Sequence, residues 1–216
     1  MDADQDGELV LKRIPQLCGK RGQLFLEVGF GLGEVARLLA SPDGYGAAWL
    51  GPDAARAPQL QRRVVGWVGS RLVRGLVLVW PGNGEHEVFS PLLLAAANAA
   101  LRCGCPTLLV VPVATWRGMP ASVRECLQEA SDGRELVTHP CQHQAGQAHG
   151  GLRVLALRAG VPRWTGRRCS HPSARSPCAA SEHVRFGRGL SELLASWLQD
   201  SCDRLHAAHT EALAGL

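Results

Sequence analysis

The sequence lacks a long apolar run: no stretch reaches the roughly 18 residues that suggest a membrane-spanning helix. It also opens on the acidic MDADQDGELVLKR, where a secretory signal would be basic and then apolar. Both absences predict a soluble chain that works in the cytoplasm or the nucleus, away from any membrane. Lysine is scarce, with 2 against 21 arginines, and the net charge is only +4. So modest a balance names no polyanionic partner by itself. The eight cysteines are spread along the chain without a compact framework, which excludes a disulfide-stapled secreted fold and predicts reduced thiols. Paired C-x2-C spacings are missing too. His139, Cys141 and His143, then Cys169, His171, Cys178 and His183, carry zinc-ligating groups, but the H-x3-H spacing of His139 and His143 has no cysteine pair to go with it, and Cys103 and Cys105 form only C-x-C, so no metal is expected. No internal repeat is present.

The 216 residues, 46% of them hydrophobic, are enough for one α/β domain with a sizeable core. Residues 24–40, LFLEVGFGLGEVARLLA, hold the densest signal. A buried strand over 24–27 runs into glycines at 29, 31 and 33, and a helical pattern starts at Glu34. Such a turn gathers backbone N–H groups and the positive end of a helix dipole where no Cβ holds a ligand off. The other reading is a strand-to-helix connection that needs tight packing.

Further along, residues 47–50 read as a short strand followed by Gly51, Pro52 and Asp53, and 54–68 as a helix with Arg56, Arg62 and Arg63 outward. Residues 75–80 (GLVLVW) and 106–113 (PTLLVVPV) have the continuous apolar pattern of strands buried on both faces of a parallel sheet. Between and after them, 90–103 and 120–130 read as helices, the latter with Pro120 at its first turn. This alternation predicts an α/β fold, Rossmann-like, with a mostly parallel sheet and helices on both faces. At 135–139 and 152–158 two strand-like segments follow each other with no helix between, predicting a C-terminal antiparallel hairpin at the sheet edge. No strand pattern stands between Arg62 and Arg74.

The chain then divides into an α/β domain over 1–160, with residues 1–23 as a lead-in covering one end of the sheet, an Arg-, Pro- and Cys-rich irregular segment over 161–189, and an amphipathic helix over 190–216. Trp164 beside Arg163, Arg167 and Arg168 combines stacking with charge in the manner of single-stranded RNA binders; a solvated loop is the alternative. The last helix puts Leu190, Leu193, Leu194, Trp197, Leu198, Cys202 and Leu205 on one face, to pack on the domain, meet a protein partner or self-associate.

An acidic residue two positions before a G-x-G-x-G turn, as in Glu27, Gly29, Gly31 and Gly33, resembles the first motif of class I S-adenosylmethionine-dependent methyltransferases. A dinucleotide fingerprint would need its third glycine where Glu34 stands. Leu50, Gly51, Pro52 and Asp53 are similar to that family's second motif, whose acid holds the cofactor ribose, although Asp53 also suits a helix N-cap. The hairpin is a third likeness. The resemblance implies that Gly29, Gly31 and Gly33 approach the methionine part of S-adenosylmethionine, that Glu27 organises the turn or its waters, and that Asp53 takes the ribose. Where amino-directed members carry an Asn/Asp-Pro-Pro-aromatic run, this chain reads Trp80, Pro81, Gly82, Asn83. Trp80 and Asn83 are thus candidates for the acceptor side, against the alternatives of a core aromatic and a turn residue. The implied activity is methyl transfer to an acceptor such as RNA. The altered run and the missing third strand, where the adenine contact usually sits, give the alternative: a catalytically inactive scaffold acting through protein contacts.

Overall fold

The computed structural model describes residues 14–41, 43–52, 59–81, 86–138, 151–157, 186 and 188–214. Six strands, β1 (Leu24–Gly29), β2 (Gly46–Leu50), β3 (Val73–Val79), β4 (Thr107–Pro112), β5 (Ser131–Val137) and β6 (Leu152–Leu157), form one sheet in the order β2-β1-β3-β4-β6-β5. The first four are parallel. β6 then runs antiparallel between β4 and β5, which is the expected hairpin. β1 and β4 are buried along their whole length, as central strands of a covered sheet must be, and this is why β4 reads as a continuous apolar run and β1 as one broken only by Glu27.

The helices are α1 (Glu34–Leu39), α2 (Leu60–Gly69), α3 (His86–Cys103), α4 (Val113–Gly118), α5 (Ala121–Glu129) and α6 (Arg188–Ala214). Strand alternation sorts the side chains onto two faces. Phe25, Glu27 and Val77 look toward α1 and α6, while Leu26, Val28, Leu76, Leu78 and Leu109 look toward the α2 and α3 layer. Their core is closed by Leu93 on α3 and by Leu194, Leu198 and Cys202 on α6, all fully buried. The first half of α6 is therefore part of the domain. Beyond Cys202 every described residue of α6 is exposed.

Two features position the site. From β1 the chain crosses through α1 to β2 on one side, and from β2 it crosses back through α2 to β3 on the other. The connection reverses direction between β1 and β3, which makes the crevice beyond their carboxyl ends a topological switch point, where open α/β sheets bind ligands. In addition, no further strand lies between Arg62 and the start of β3 at Val73, since α2 gives way directly to β3. Among the described residues β2 is an edge.

Some boundaries differ from the sequence-based expectation. β5 begins at Ser131, before the expected start at 135, with Ser131 paired to Leu157 and a register shift between Ser131 and Glu135. α4 was not expected at all: it starts on the residue after Pro112, where an apolar strand pattern runs straight on. The lead-in is described from Ile14, whose side chain is fully buried, and the 3-10 turn Ile14–Leu17 lies against the start of β2. Residues 54–58 of the expected second helix lie outside the described residues.

Candidate functional site

Glu27 is the only polar residue on β1, and its side chain is fully buried. A lone carboxylate there must find donors or leave the charge state. It finds them in the turn that follows. Oε1 accepts from the Gly33 amide at 2.8 Å, and Oε2 from those of Val35 at 3.2 Å and Ala36 at 3.5 Å. Those amides begin α1, so Glu27 supplies from within the sheet the acceptors that an N-cap side chain usually provides; Gly33, at the N-cap position, has none. Burial pushes the Glu27 carboxyl above its usual value, and the three amides pull it part of the way back.

Each glycine of the turn answers to this packing. A Cβ on Gly29 would stand 2.1 Å from the Val79 carbonyl oxygen, and its φ of +107° is unfavourable for any other residue. On Gly31 it would stand 2.0 Å from the Glu27 carboxylate, and on Gly33 2.8 Å from Cβ of Trp49. The amide of Phe30 donates to Val79 O at 3.1 Å, so the turn is sewn to the end of β3. The three glycines thus let the chain close tightly on itself. Of the two roles open to Glu27, organising the turn is the one its hydrogen bonds fulfil.

Trp49 is the residue that sequence reasoning passed over. It pairs with Glu27 across β1 and β2, keeps 39% of its surface exposed, and lies against both Gly33 and Gly51, where a Cβ would meet the indole at 2.6 Å. Read along the sequence, GAAWL is an apolar strand. Only the edge position of β2 leaves this indole at the rim of the turn.

Trp80 is 2% exposed, a core aromatic whose amide donates to Val110 O at 2.8 Å. The next residue is tied down as well, since Thr115 Oγ1 donates to Pro81 O at 3.0 Å. The chain beyond β3 thus leaves from a fixed point. Asp53 and Asn83 lie outside the described residues, as do His139, Cys141, His143, Cys169, His171, Cys178 and His183, and the Trp164 segment with its arginines.

No protein-family model matches this sequence, and no curated protein matches it. The site is therefore argued on its own geometry. Glu27, Gly29, Gly31 and Gly33 form one unit at the switch point, with Trp49 at its rim and the Trp80–Pro81 corner on the side of β3. Among the described residues no helix is long and apolar enough to cross a membrane.

Proposed function

We propose that this chain binds S-adenosylmethionine at the crevice beyond β1, β2 and β3, and that it is a methyltransferase acting on an acceptor of which RNA is the first candidate. The observation that carries the reading is the Glu27 unit: a buried acid that holds a side-chain-free glycine turn at the topological switch point. Two further features support it. The antiparallel insertion of β6 between β4 and β5 is of the kind the resemblance implies, and the glycine spacing disfavours a nicotinamide site.

The fit to this cofactor can be judged from the turn itself. Its glycines present backbone alone outward, because the space behind them is filled by Glu27, Val79 and Trp49. The methionine part would meet the backbone of Gly29 and Gly31, the adenosine part would lie toward Trp49 and Gly51, and Asp53 would take the ribose hydroxyls. Glu27, with both oxygens engaged, is a positioning residue. When bound, the cofactor supplies an already activated methyl group, so the protein's task is to align the acceptor and exclude water. The Trp80–Pro81 corner would direct the acceptor-side segment that contains Asn83.

Methyl transfer is tested by incubating the protein with labelled S-adenosylmethionine and total RNA. Label in the RNA that depends on the protein supports the reading. Its absence from RNA together with its appearance in protein or small molecules would discard RNA as acceptor.

One observation favours the second reading, a scaffold without catalysis. α6 continues past Cys202 as an exposed helix carrying Leu205 at 38% and Leu213 at 61% exposure. Deleting residues 204–216, while keeping the buried first half of α6, separates the two. No methyl transfer by the full chain, together with partner binding that the deletion abolishes, would support the scaffold; methyl transfer by the full chain would discard it.

A further inference from the structure

A second concavity lies on the other face of the sheet. Arg153 pairs in register with Val111 and Val137, and Val111 continues the row of Leu109, Leu78 and Val28, so this site faces away from Glu27. Its volume is about 480 Å³, within the range of small-molecule sites. The helix–helix corner of α4 and α5 forms one wall and the exposed ends of β5 and β6 the other.

Positive charge predominates among the polar groups there. Arg117, Arg124 and Arg153 line the cavity, against Glu125 among the lining carboxylates. Arg153 is held in place: its guanidinium lies 4.7 Å from the Trp116 ring centroid and its Nε bonds Glu135 at 2.8 Å. Arg117 from α4 and Arg124 from α5 complete the cationic side of the wall. The start of α5 adds to this, because Pro120 caps it without any side-chain acceptor and Ala121 lies at the cavity. An uncapped helix start beside guanidinium groups attracts an anion.

We propose that this cavity binds the phosphate group of a small phosphomonoester. The guanidinium groups of Arg117 and Arg124 take its oxygens at the start of α5, and the apolar walls from Val113 and Val137 hold the organic part. Phosphate is favoured over a carboxylate because the site offers several guanidinium donors and a helix start to one group, and a dianion with three terminal oxygens can use them together. The proposal is independent of S-adenosylmethionine binding, which is assigned to the crevice beyond β1, β2 and β3.

The test follows Tm and the Arg Nε–H resonances of the full chain on titration with inorganic phosphate, ribose 5-phosphate, ribose and succinate. Expected are a rise in Tm and a shift of the Arg124 Nε–H signal with phosphate and ribose 5-phosphate, with little from ribose or succinate. Arg124→Gln and the exposed-site variant Arg117→Gln should each weaken the phosphate response about tenfold. Arg117→Gln keeps the test decisive if Arg124→Gln disturbs the fold. An equal response to succinate, an unchanged response in Arg117→Gln, or no response in the wild type would overturn the proposal.

Discussion

At the scale of single residues, the decisive group is the Glu27 carboxylate. Its oxygens face only amide donors, so Glu27→Gln turns one acceptor into a donor pointed at N–H groups. We expect a loss of about 1–3 kcal/mol in urea unfolding, the cost of a buried hydrogen bond left unmade. The pH dependence has a definite sign. Because burial raises the folded pKa above the usual 4.5, the native state binds the proton more tightly than the unfolded chain. Between 4.5 and the raised value this group's contribution falls as pH rises. The stability gap between wild type and Glu27→Gln should therefore be wider near the acid end of that window than above it. A gap that widens with rising pH would contradict the burial-dominated environment.

The glycines allow a graded comparison. Gly29→Ala meets a backbone carbonyl and an unfavourable φ, whereas Gly31→Ala meets the end of a side chain. Both should destabilise, and Gly29→Ala more. Gly31→Ala should also be less costly in a Glu27→Ala background than in the wild type, with a coupling of roughly 0.5–3 kcal/mol in a double-mutant cycle. Strict additivity would mean that the two residues do not share the contact described. Thiol chemistry supplies an independent check on the core. Cys103 is exposed, while Cys105 is buried and Cys202, fully buried, has its thiol pushed up to about 12 mainly by desolvation. A maleimide applied to the native protein should modify Cys103 and spare Cys105 and Cys202 until denaturant is added.

At the scale of elements, β3 and β4 were legible in the sequence because a strand covered on both faces has no polar alternation to disguise it. The glycine turn was legible through its spacing, and the hairpin through the absence of a helix between two strand patterns. The missing strand between Arg62 and Arg74 was readable for the same reason, since nothing there has a strand's pattern. Other features depend on non-local geometry. Trp49 matters because β2 is an edge, Arg153 because register brings it beside Glu135 and against Trp116, and α4 because the chain bends where an apolar run continues. No local pattern carries such information. α6 falls between: its apolar stripe was visible, but the point at which packing ends, Cys202, is set by the length of the sheet beneath it. Leu198 lies over Gly75, where a Cβ would be 3.1 Å from its side chain, and is fully buried. Leu198→Ala should therefore cost about 2–5 kcal/mol. Leu213→Ala, on the exposed extension, should change stability by less than about 0.5 kcal/mol.

At the scale of the whole molecule, two separate regions are set along the sheet. One is the switch-point crevice organised by Glu27, the other the arginine-lined cavity beside α4 and α5. The two share no lining residue, so ligands of each should bind without excluding the other, and variants in one should leave the other's response intact. The central claim is that the crevice takes S-adenosylmethionine, and calorimetric titration of the full chain with this cofactor, paired with Tm at saturation, tests it most directly. We predict a saturable heat near one equivalent and a Tm that rises with cofactor concentration, because a ligand bound only by the folded state must stabilise it. No heat and an unchanged Tm at saturating cofactor would contradict the account.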